Sequence, residues 1–389
     1  MNTVTLGDIC EVTAGQSAPQ DSDAFGTAGK PFIRAGSLGD LVLGGTEESC
    51  EMIPDDIAKR LRMRLFPEDT ILFAKSGMSA TLGRVYRLRK PAYVVSHLAT
   101  VIPGNRVEPS YLQRWFERNP PSRLIPNEAY PSIRTSEIAT LKIDLPCLAE
   151  QKRIAAILDK ADAIRRKRQQ AIKLADEFLR SVFLEMFGDS INNTKRWPLE
   201  NLGKHIKFMT SGSRGWASYY ADAGAKFLRI QNIGYNSIIM EDIAFVNPPD
   251  TAEARRTQVQ QGDVLVSITA DLGRSAVIPP NFGQAYINQH LALLRVSDFD
   301  PIYLSAFFSS KGGRIQFDRL NRGGVKSGLN FDDLRGLSIP MPPISIQNKY
   351  SSIYYKLSDL KSTKIYNQNG NSEMLFKSLS NLLFRGQYK

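Results

Sequence analysis

Three histidines and three cysteines in 389 residues leave little material for metal chemistry or disulfide scaffolding. His97, His205 and His290 are too scattered to form a metal-ligand cluster of the usual spacing. Cys10, Cys50 and Cys147 are odd in number and match neither a disulfide framework nor a zinc motif, which fits a reducing cytoplasm. No stretch approaches the roughly 18 uninterrupted apolar residues of a membrane span. The start, MNTVTLGDICEV, lacks the basic-then-apolar order of a signal peptide. The expectation is a cytoplasmic chain with no membrane partner.

Catalytic signatures are missing as well. Asn247-Pro248-Pro249-Asp250 has the outline of the Asn-Pro-Pro-aromatic motif of DNA amino-methyltransferases, but Asp250 cannot stack on a flipped base. No glycine-rich turn after a strand stands upstream to hold a methyl donor. Gly323-Gly324-Val325-Lys326-Ser327-Gly328 lacks the spacing of a phosphate loop. It reads either as a basic turn approaching a DNA phosphate or base edge, or as a plain loop. Glu150-Gln151-Lys152 has nuclease-like spacing, yet it opens a long helix, where Glu is a first-turn residue favoured by the dipole. No catalytic residue and no metal ligand is assigned.

What is present is ordinary for a globular protein, with 42% apolar and 23% charged residues. The net charge of +11 is unevenly placed. Residues 1–146 carry 17 basic and 17 acidic side chains, residues 147–196 carry 11 and 7, and residues 197–389 carry 22 and 15. A sequence pI near 9.5 favours a polyanionic partner over a neutral one.

The chain also repeats itself. Phe32-Ile33-Arg34 returns as Phe227-Leu228-Arg229, and Glu68-Asp69-Thr70-Ile71-Leu72 as Gly262-Asp263-Val264-Leu265. Leu82-Gly83-Arg84 returns as Leu272-Gly273-Arg274, Ser96-His97-Leu98-Ala99 as Gln289-His290-Leu291-Ala292, and Pro109-Ser110-Tyr111-Leu112 as Pro301-Ile302-Tyr303-Leu304. A period this long means two domains of one fold, each with room for a core, and not a solenoid. Two similar surfaces suit a two-part ligand better than one catalytic centre.

The organisation reads as globule (1–146), helix (147–190), globule (191–345), helix (346–389). Each globule is expected to be mixed α+β. Strands are predicted at Phe32–Arg34, Thr70–Phe73, Val85–Leu88, Tyr93–Val95, Val264–Ile268 and Ala285–Asn288, with helices at Pro109–Arg118 and Pro301–Phe308. From Glu150 to Phe187 the period turns helical. Ile154, Ile157, Leu158, Ala161, Ile164, Ala171, Ile172, Ala175, Phe178, Leu179, Val182 and Met186 form a stripe, with Gly188 as its stop. Such a helix is about 55 Å long and covers about sixteen base pairs. Its stripe needs a partner, and the second copy offers Ile346, Tyr350, Ile353, Leu357 and Leu360, then Met374, Leu375, Leu379 and Leu382. The expectation is an antiparallel coiled coil with pseudo-two-fold symmetry and one globule at each end. Two weak patches interrupt the stripes: Arg165-Arg166-Lys167-Arg168 reads as a register-setter or as snorkelling side chains, and Asn367–Asn371 as a break or a polar register-setter.

The paired segments LKIDLPCLAEQKRIAAILDKAD (141–162) and LSIPMPPISIQNKYSSIYYKLSDL (337–360), each leading into a long helix, resemble the specificity subunit of type I restriction-modification enzymes. Leu202-Gly203, Gly262–Leu265 and Gly328-Leu329-Asn330 fit the same pattern, and the likeness covers the whole chain. The second copy departs at Ile346, where Glu is expected, while Gln347 is kept. The resemblance implies two target recognition domains, each reading one half of a bipartite double-stranded DNA target, with the helices setting the spacer. It implies docking of two modification (methyltransferase) subunits and association with restriction (translocase-nuclease) subunits. S-adenosylmethionine, ATP and Mg are then expected on those partners, with no cofactor and no catalysis on this chain. Two other readings stay open: the recognition part of a split methyltransferase-nuclease of another restriction class, and a coiled-coil scaffold with no DNA role.

Candidate DNA contacts are basic, amide and hydroxyl residues at strand ends and loops. In the first globule these are Arg34, Lys75, Ser76, Arg84, His97 and Arg134; in the second, Arg214, Arg229, Gln231, Asn232, Thr269, Arg274, Gln289, His290, Arg322 and Lys326. Arg favours guanine, and Asn or Gln favours adenine. His97 and His290 are either base-edge readers or hydrogen-bonded core histidines. Arginines at shared repeat positions, Arg34/Arg229 and Arg84/Arg274, suit backbone contacts or fold support. Sequence-reading positions are expected to differ between copies, as Ser96 does from Gln289.

Overall fold

The computed structural model describes residues 2–212, 214–321, 328–360 and 372–384. The chain divides into two compact units: residues 1–169 with 369–389, and residues 170–368. Among the described residues no helix is long and apolar enough to cross a membrane.

The first unit holds strands β1 (Asn2–Thr5), β2 (Cys10–Ala14), β3 (Lys30–Ile33), β4 (Glu51–Ile53), β5 (Ile71–Ala74), β6 (Val85–Arg87), β7 (Tyr93–Val94), β8 (Leu98–Pro103) and β9 (Lys142–Leu145). An antiparallel sheet runs in the order β2-β8-β5-β6. A second sheet, β4-β3-β7, contains one parallel pair, β3 with β7. The four residues of β5 are all buried, because one face of the strand meets each of two cores. Ile71 and Phe73 join the core around Tyr111 and Phe116, while Leu72 and Ala74 join the core around Phe32 and Phe66. That is why β5 reads as an apolar run and not as an alternation.

The second unit repeats this plan with β10 (Leu199–Asn201), β11 (Ile206–Ser211), β12 (Tyr220–Ala221), β13 (Ala225–Leu228), β14 (Ala244–Val246), β15 (Val264–Ser267), β16 (Ser275–Val277), β17 (Ala285–Ile287), β18 (Leu291–Val296) and β19 (Ser338–Pro340). Its sheets run β11-β18-β15-β16 and β12-β14-β13-β17, again with one parallel pair, β13 with β17. The pairs β1–β9 and β10–β19 also match. Even a glycine recurs for one reason. A Cβ on Gly15 would strike the Val94 and Val95 carbonyls, and one on Gly212 would strike those of Ile287 and Asn288.

The helix at Pro109–Arg118 has the expected bounds, and Pro301–Ser309 ends one residue beyond expectation. The central helix is one element, Leu148–Phe187. The C-terminal segment is described as two helices, Ile344–Leu360 and Ser372–Phe384. In the first unit Ile154, Ala155 and Leu158 share a core with Leu383 and Phe384, and Arg165 lies over the Phe376 ring. Early residues of the central helix meet late residues of the last one, so this pairing is antiparallel. In the second unit Phe183 and Phe187 pack on Tyr350 with T-shaped ring contacts at 5.6 Å.

The predicted stripe needs correction in its middle. Ile164, Ala171 and Phe178 are exposed on the central helix, as are Leu360 and Leu382 on its partners. Burial concentrates toward the two ends of the central helix, where globular cores reach it, and heptad position alone does not supply a cover. Phe183 and Phe187, absent from the predicted interface, are the most buried aromatics of the central helix. Asn367–Asn371 and the side chains of Met374 and Leu375 lie outside the described residues.

A buried glutamine anchors each long helix to its globule. Gln151 donates to the Pro146 and Arg106 carbonyls at 2.8 and 3.1 Å and accepts from Glu108 N at 2.8 Å. Gln347 donates to Pro342 O at 2.7 Å and accepts from Asp300 N at 2.8 Å. Both side chains are buried. The repeated Gln is therefore structural, and the Glu-to-Ile difference at the preceding residue costs the second copy nothing in this contact. Gln347→Ala strands a buried N–H and a buried carbonyl. It is expected to lower the stability of the second unit by about 2–4 kcal/mol in urea unfolding.

The arginine patch serves the first unit. Asp162, buried on the central helix, accepts from Arg165 at 2.7 Å, Arg166 at 2.8 Å and Arg114 at 3.2 Å. Burial alone would raise its pKa, but the hydrogen bond from Arg165 and the charges of Arg114, Arg166 and Arg165 outweigh it and hold the carboxyl below its ordinary value. The folded chain thus keeps Asp162 ionised where the unfolded chain takes up a proton. Its contribution is full at neutral pH and is lost as pH falls below about 4. Asp162→Asn is expected to cost about 3 kcal/mol at pH 7 and to flatten the acid limb of a stability–pH curve.

Candidate nucleic-acid interface

The predicted candidates converge at one edge of each unit, because four strands start or stop there. In the first unit β3 ends at Ile33, just before Arg34, and Val95 N donates to Ile33 O at 3.0 Å. β5 runs out into Lys75 and Ser76, β6 begins after Arg84, and β8 begins after His97. Lys75 N donates to His97 O at 2.9 Å, and Ile133 N donates to Lys75 O at 2.7 Å, which brings Arg134 to the same edge. Ser76 Oγ and His97 Nδ1 lie 2.9 Å apart.

The second unit builds the same arrangement. Ile268 N donates to His290 O at 3.0 Å, and Leu329 N donates to Ile268 O at 2.8 Å. Thr269 Oγ1 and His290 Nδ1 lie 2.8 Å apart, and Gln289 Nε2 lies 3.1 Å from His290 Nε2. A hydroxyl steers each imidazole through Nδ1. His97 is exposed, so its Nε2 edge is presented outward. His290 is half-buried and carries Gln289 on that edge.

The arginines divide by what already holds them. Arg34 is ion-paired with Glu51 and stacks over Phe25 and Phe32 at 5.0 and 5.1 Å. Arg229 donates to the Asp242 carbonyl, and its Nε is buried with no partner among the described residues. Arg274 pairs with Asp271 at 2.6 Å. These three brace loops. Arg84, Lys75 and Arg134 have side chains with no ion-pair partner among the described residues, and Arg84 and Arg134 are exposed. Arg214, on a loop of the second unit, and Gln231, in the 3-10 turn Ile230–Asn232, are exposed too.

Asn232 is a correction. It is 0% exposed, donates to the Ile239 and Glu241 carbonyls at 3.1 and 3.2 Å, and accepts from Arg229 N at 3.1 Å. An amide spent on three backbone groups cannot reach a base. Arg322 and Lys326, with most of the Gly323–Gly328 turn, lie outside the described residues. Sequence reading missed Tyr235 and Arg314. The Arg314 guanidinium lies 4.6 Å from the Tyr235 ring centroid and that of Arg274 lies 5.8 Å from it, so a partly exposed aromatic sits between two cations. No motif marks this pair, because 79 residues separate its members.

The chain matches the model of the type I restriction modification DNA specificity domain over residues 1–174 and again over 217–370. The chain belongs to this family. A Methanocaldococcus jannaschii chain provisionally named the type I restriction enzyme MjaX specificity subunit is 25% identical, over 99% of this chain and 92% of its own length. The EcoKI specificity subunit of Escherichia coli K12 is 21% identical over 82% and 73%. Among solved structures, the S subunit of the type I restriction-modification system from M. genitalium superposes with a TM-score of 0.64 at 13% identity, covering 98% of this chain and 96% of that one. At that identity the likeness is one of fold. The function of this specificity subunit is DNA recognition in a type I restriction-modification system.

For a family that recognises DNA, the unpaired cations are the first residues to test. Arg84→Ala is expected to weaken binding to target and non-target duplexes alike and to reduce the slope of log K against log salt by about 1. Asn232→Ala is expected to lower thermal stability instead, leaving that slope unchanged. Fluorescence anisotropy across a salt series distinguishes the two.

Proposed function

We propose that each unit reads one half of a bipartite double-stranded DNA target through its strand-end cluster, and that this chain catalyses nothing itself. The observation that carries the reading is the recurrence of one constellation, Ser76–His97 and Thr269–His290, at matching strand ends of two domains with the same topology. Equal scaffolds with unequal tips are what a split, asymmetric target requires. Where the first unit has Lys75, the second has Ile268; where the first has Ser96, the second has Gln289. Unpaired cations hold phosphates and fix the register, while the differing side chains discriminate base edges.

In this reading the helical segments set the unspecified spacer and dock two modification subunits. Those subunits bring S-adenosylmethionine, and restriction subunits bring ATP-driven translocation and cleavage with Mg. The missing methyl-donor loop and the failure of the Asn247–Asp250 motif support the assignment of chemistry to the partners. In the structure that motif is a loop whose Asp250 is ion-paired with Arg255.

The test is a map of methylated adenines in the host. One split motif is expected, lost on deletion of this chain. Replacing residues 1–146 with the matching segment of a specificity subunit of different target is expected to change one half of the motif and leave the other. A change in both halves, or in neither, rules the division of labour out. The purified chain alone with S-adenosylmethionine is expected to transfer no methyl group.

A further inference from the structure

Beside the cations of the first unit that lack ion-pair partners among the described residues stand three large apolar side chains outside its cores, Met78, Leu82 and Tyr130. Between Ser76 and Gly83 this unit has six residues, 77–82; between Thr269 and Gly273 the second has three, 270–272. The extra chain folds as a 3-10 turn over Met78–Leu82, entered through Gly77 at φ +73° and left through Gly83 at φ +59°. Both dihedrals favour glycine, so the sequence specifies this turn. Gly77 N donates to Pro131 O at 3.0 Å, and Ser76 bridges Ser132 in antiparallel sense. That bridge brings the turn alongside the segment that carries Tyr130. Met78 is 69% exposed and Tyr130 82%, and neither joins a core of the unit. Single exposed apolar residues are ordinary. Met78 and Leu82 on one glycine-bounded turn, with Tyr130 on the neighbouring segment, flanked by Lys75, Arg84 and Arg134 with no acid between residues 77 and 84, form a surface that suits a polyanion bearing apolar groups.

We propose that Met78 makes an apolar contact to a thymine methyl in the half-site read by the first unit, with Tyr130 shielding that contact from water. The inference rests on the reading that this edge faces DNA. The C5-methyl of thymine is the apolar group that the major groove presents. An unbranched thioether side chain adapts its shape to such a target. The second unit lacks this device, since its shorter loop places Asp271 there, tied to Arg274.

The test uses the specificity subunit assembled with its modification subunits and duplexes carrying the mapped target, each thymine replaced in turn by uracil. With the wild-type chain, one replacement in the first half-site is expected to weaken binding about fourfold, the worth of one buried methyl-sized group. With Met78→Ala the thymine duplex is expected to bind about fourfold more weakly and the same replacement to change nothing further. Independent, multiplying effects at every position overturn the contact. So does a first half-site without an A·T pair, and so does a Met78→Ala defect confined to assembly with the modification subunits. Arg84→Ala on the same duplexes separates the two levels. A uniform loss keeps the DNA-facing reading even where the methyl contact fails, and no loss removes the reading itself. Met78 is solvent-exposed, so its replacement leaves the fold intact, which an unchanged melting curve verifies.

Discussion

A single amide side chain at the root of each long helix fixes what the rest of the molecule can do. Gln151 and Gln347 each span the proline turn before the helix and the backbone at the start of the neighbouring Pro109–Arg118 or Pro301–Ser309 helix. Burying a primary amide without partners costs several kcal/mol, so its partners are positioned strictly. The long helix cannot rotate about its axis without breaking those bonds. Tyr111 and Tyr303 reinforce the same joint, donating to the Asp144 and Pro340 carbonyls at 2.8 and 2.7 Å. Sheet, short helix and long helix of each unit are thereby held as one body, and the strand ends opposite are free to vary.

That freedom follows from where the duplicated fold spends its apolar residues. The interior strands β5 and β15 are buried on both faces, which leaves no latitude in their sequence. The residues just past their ends carry no such burden. There the two copies share backbone hydrogen bonds and a hydroxyl–imidazole pair, yet differ in loop length and in neighbouring side chains. Strands set the backbone to within hydrogen-bond tolerance, and the tips inherit that precision without its sequence constraints.

Much of this was legible before any coordinates. Repetition of short motifs in fixed order revealed two domains of one fold, and the helical period gave the central helix to within two residues of its start. The pairing of His97 with His290 and of Arg84 with Arg274 came from the same alignment of copies. What escaped depended on distance in sequence or on burial. Asn232 looks like any exposed amide until Ile239 and Glu241 fold back over it. Phe178 sits on a heptad position, but position on a helix says nothing of whether a partner reaches that turn. Tyr235 and Arg314 meet only through tertiary folding.

Total charge was the weakest guide to the site. Residues 1–146 are formally neutral, whereas the second half of the chain is basic. At the strand-end edge the relation inverts. Lys75, Arg84 and Arg134 lack ion-pair partners among the described residues of the first unit, while Arg229 and Arg274 of the second are engaged by Asp242 and Asp271. Among the acids of the first unit, Glu11, Glu48 and Asp69 are each paired with their own Arg or Lys, and Glu51 is paired with Arg34 at the edge itself. Pairing those acids locally leaves the edge cations unscreened by them, since an exposed ion pair contributes little field beyond a Debye length of about 8 Å. A formally neutral domain thus presents, at one edge, three cations without an ion-pair partner among the described residues.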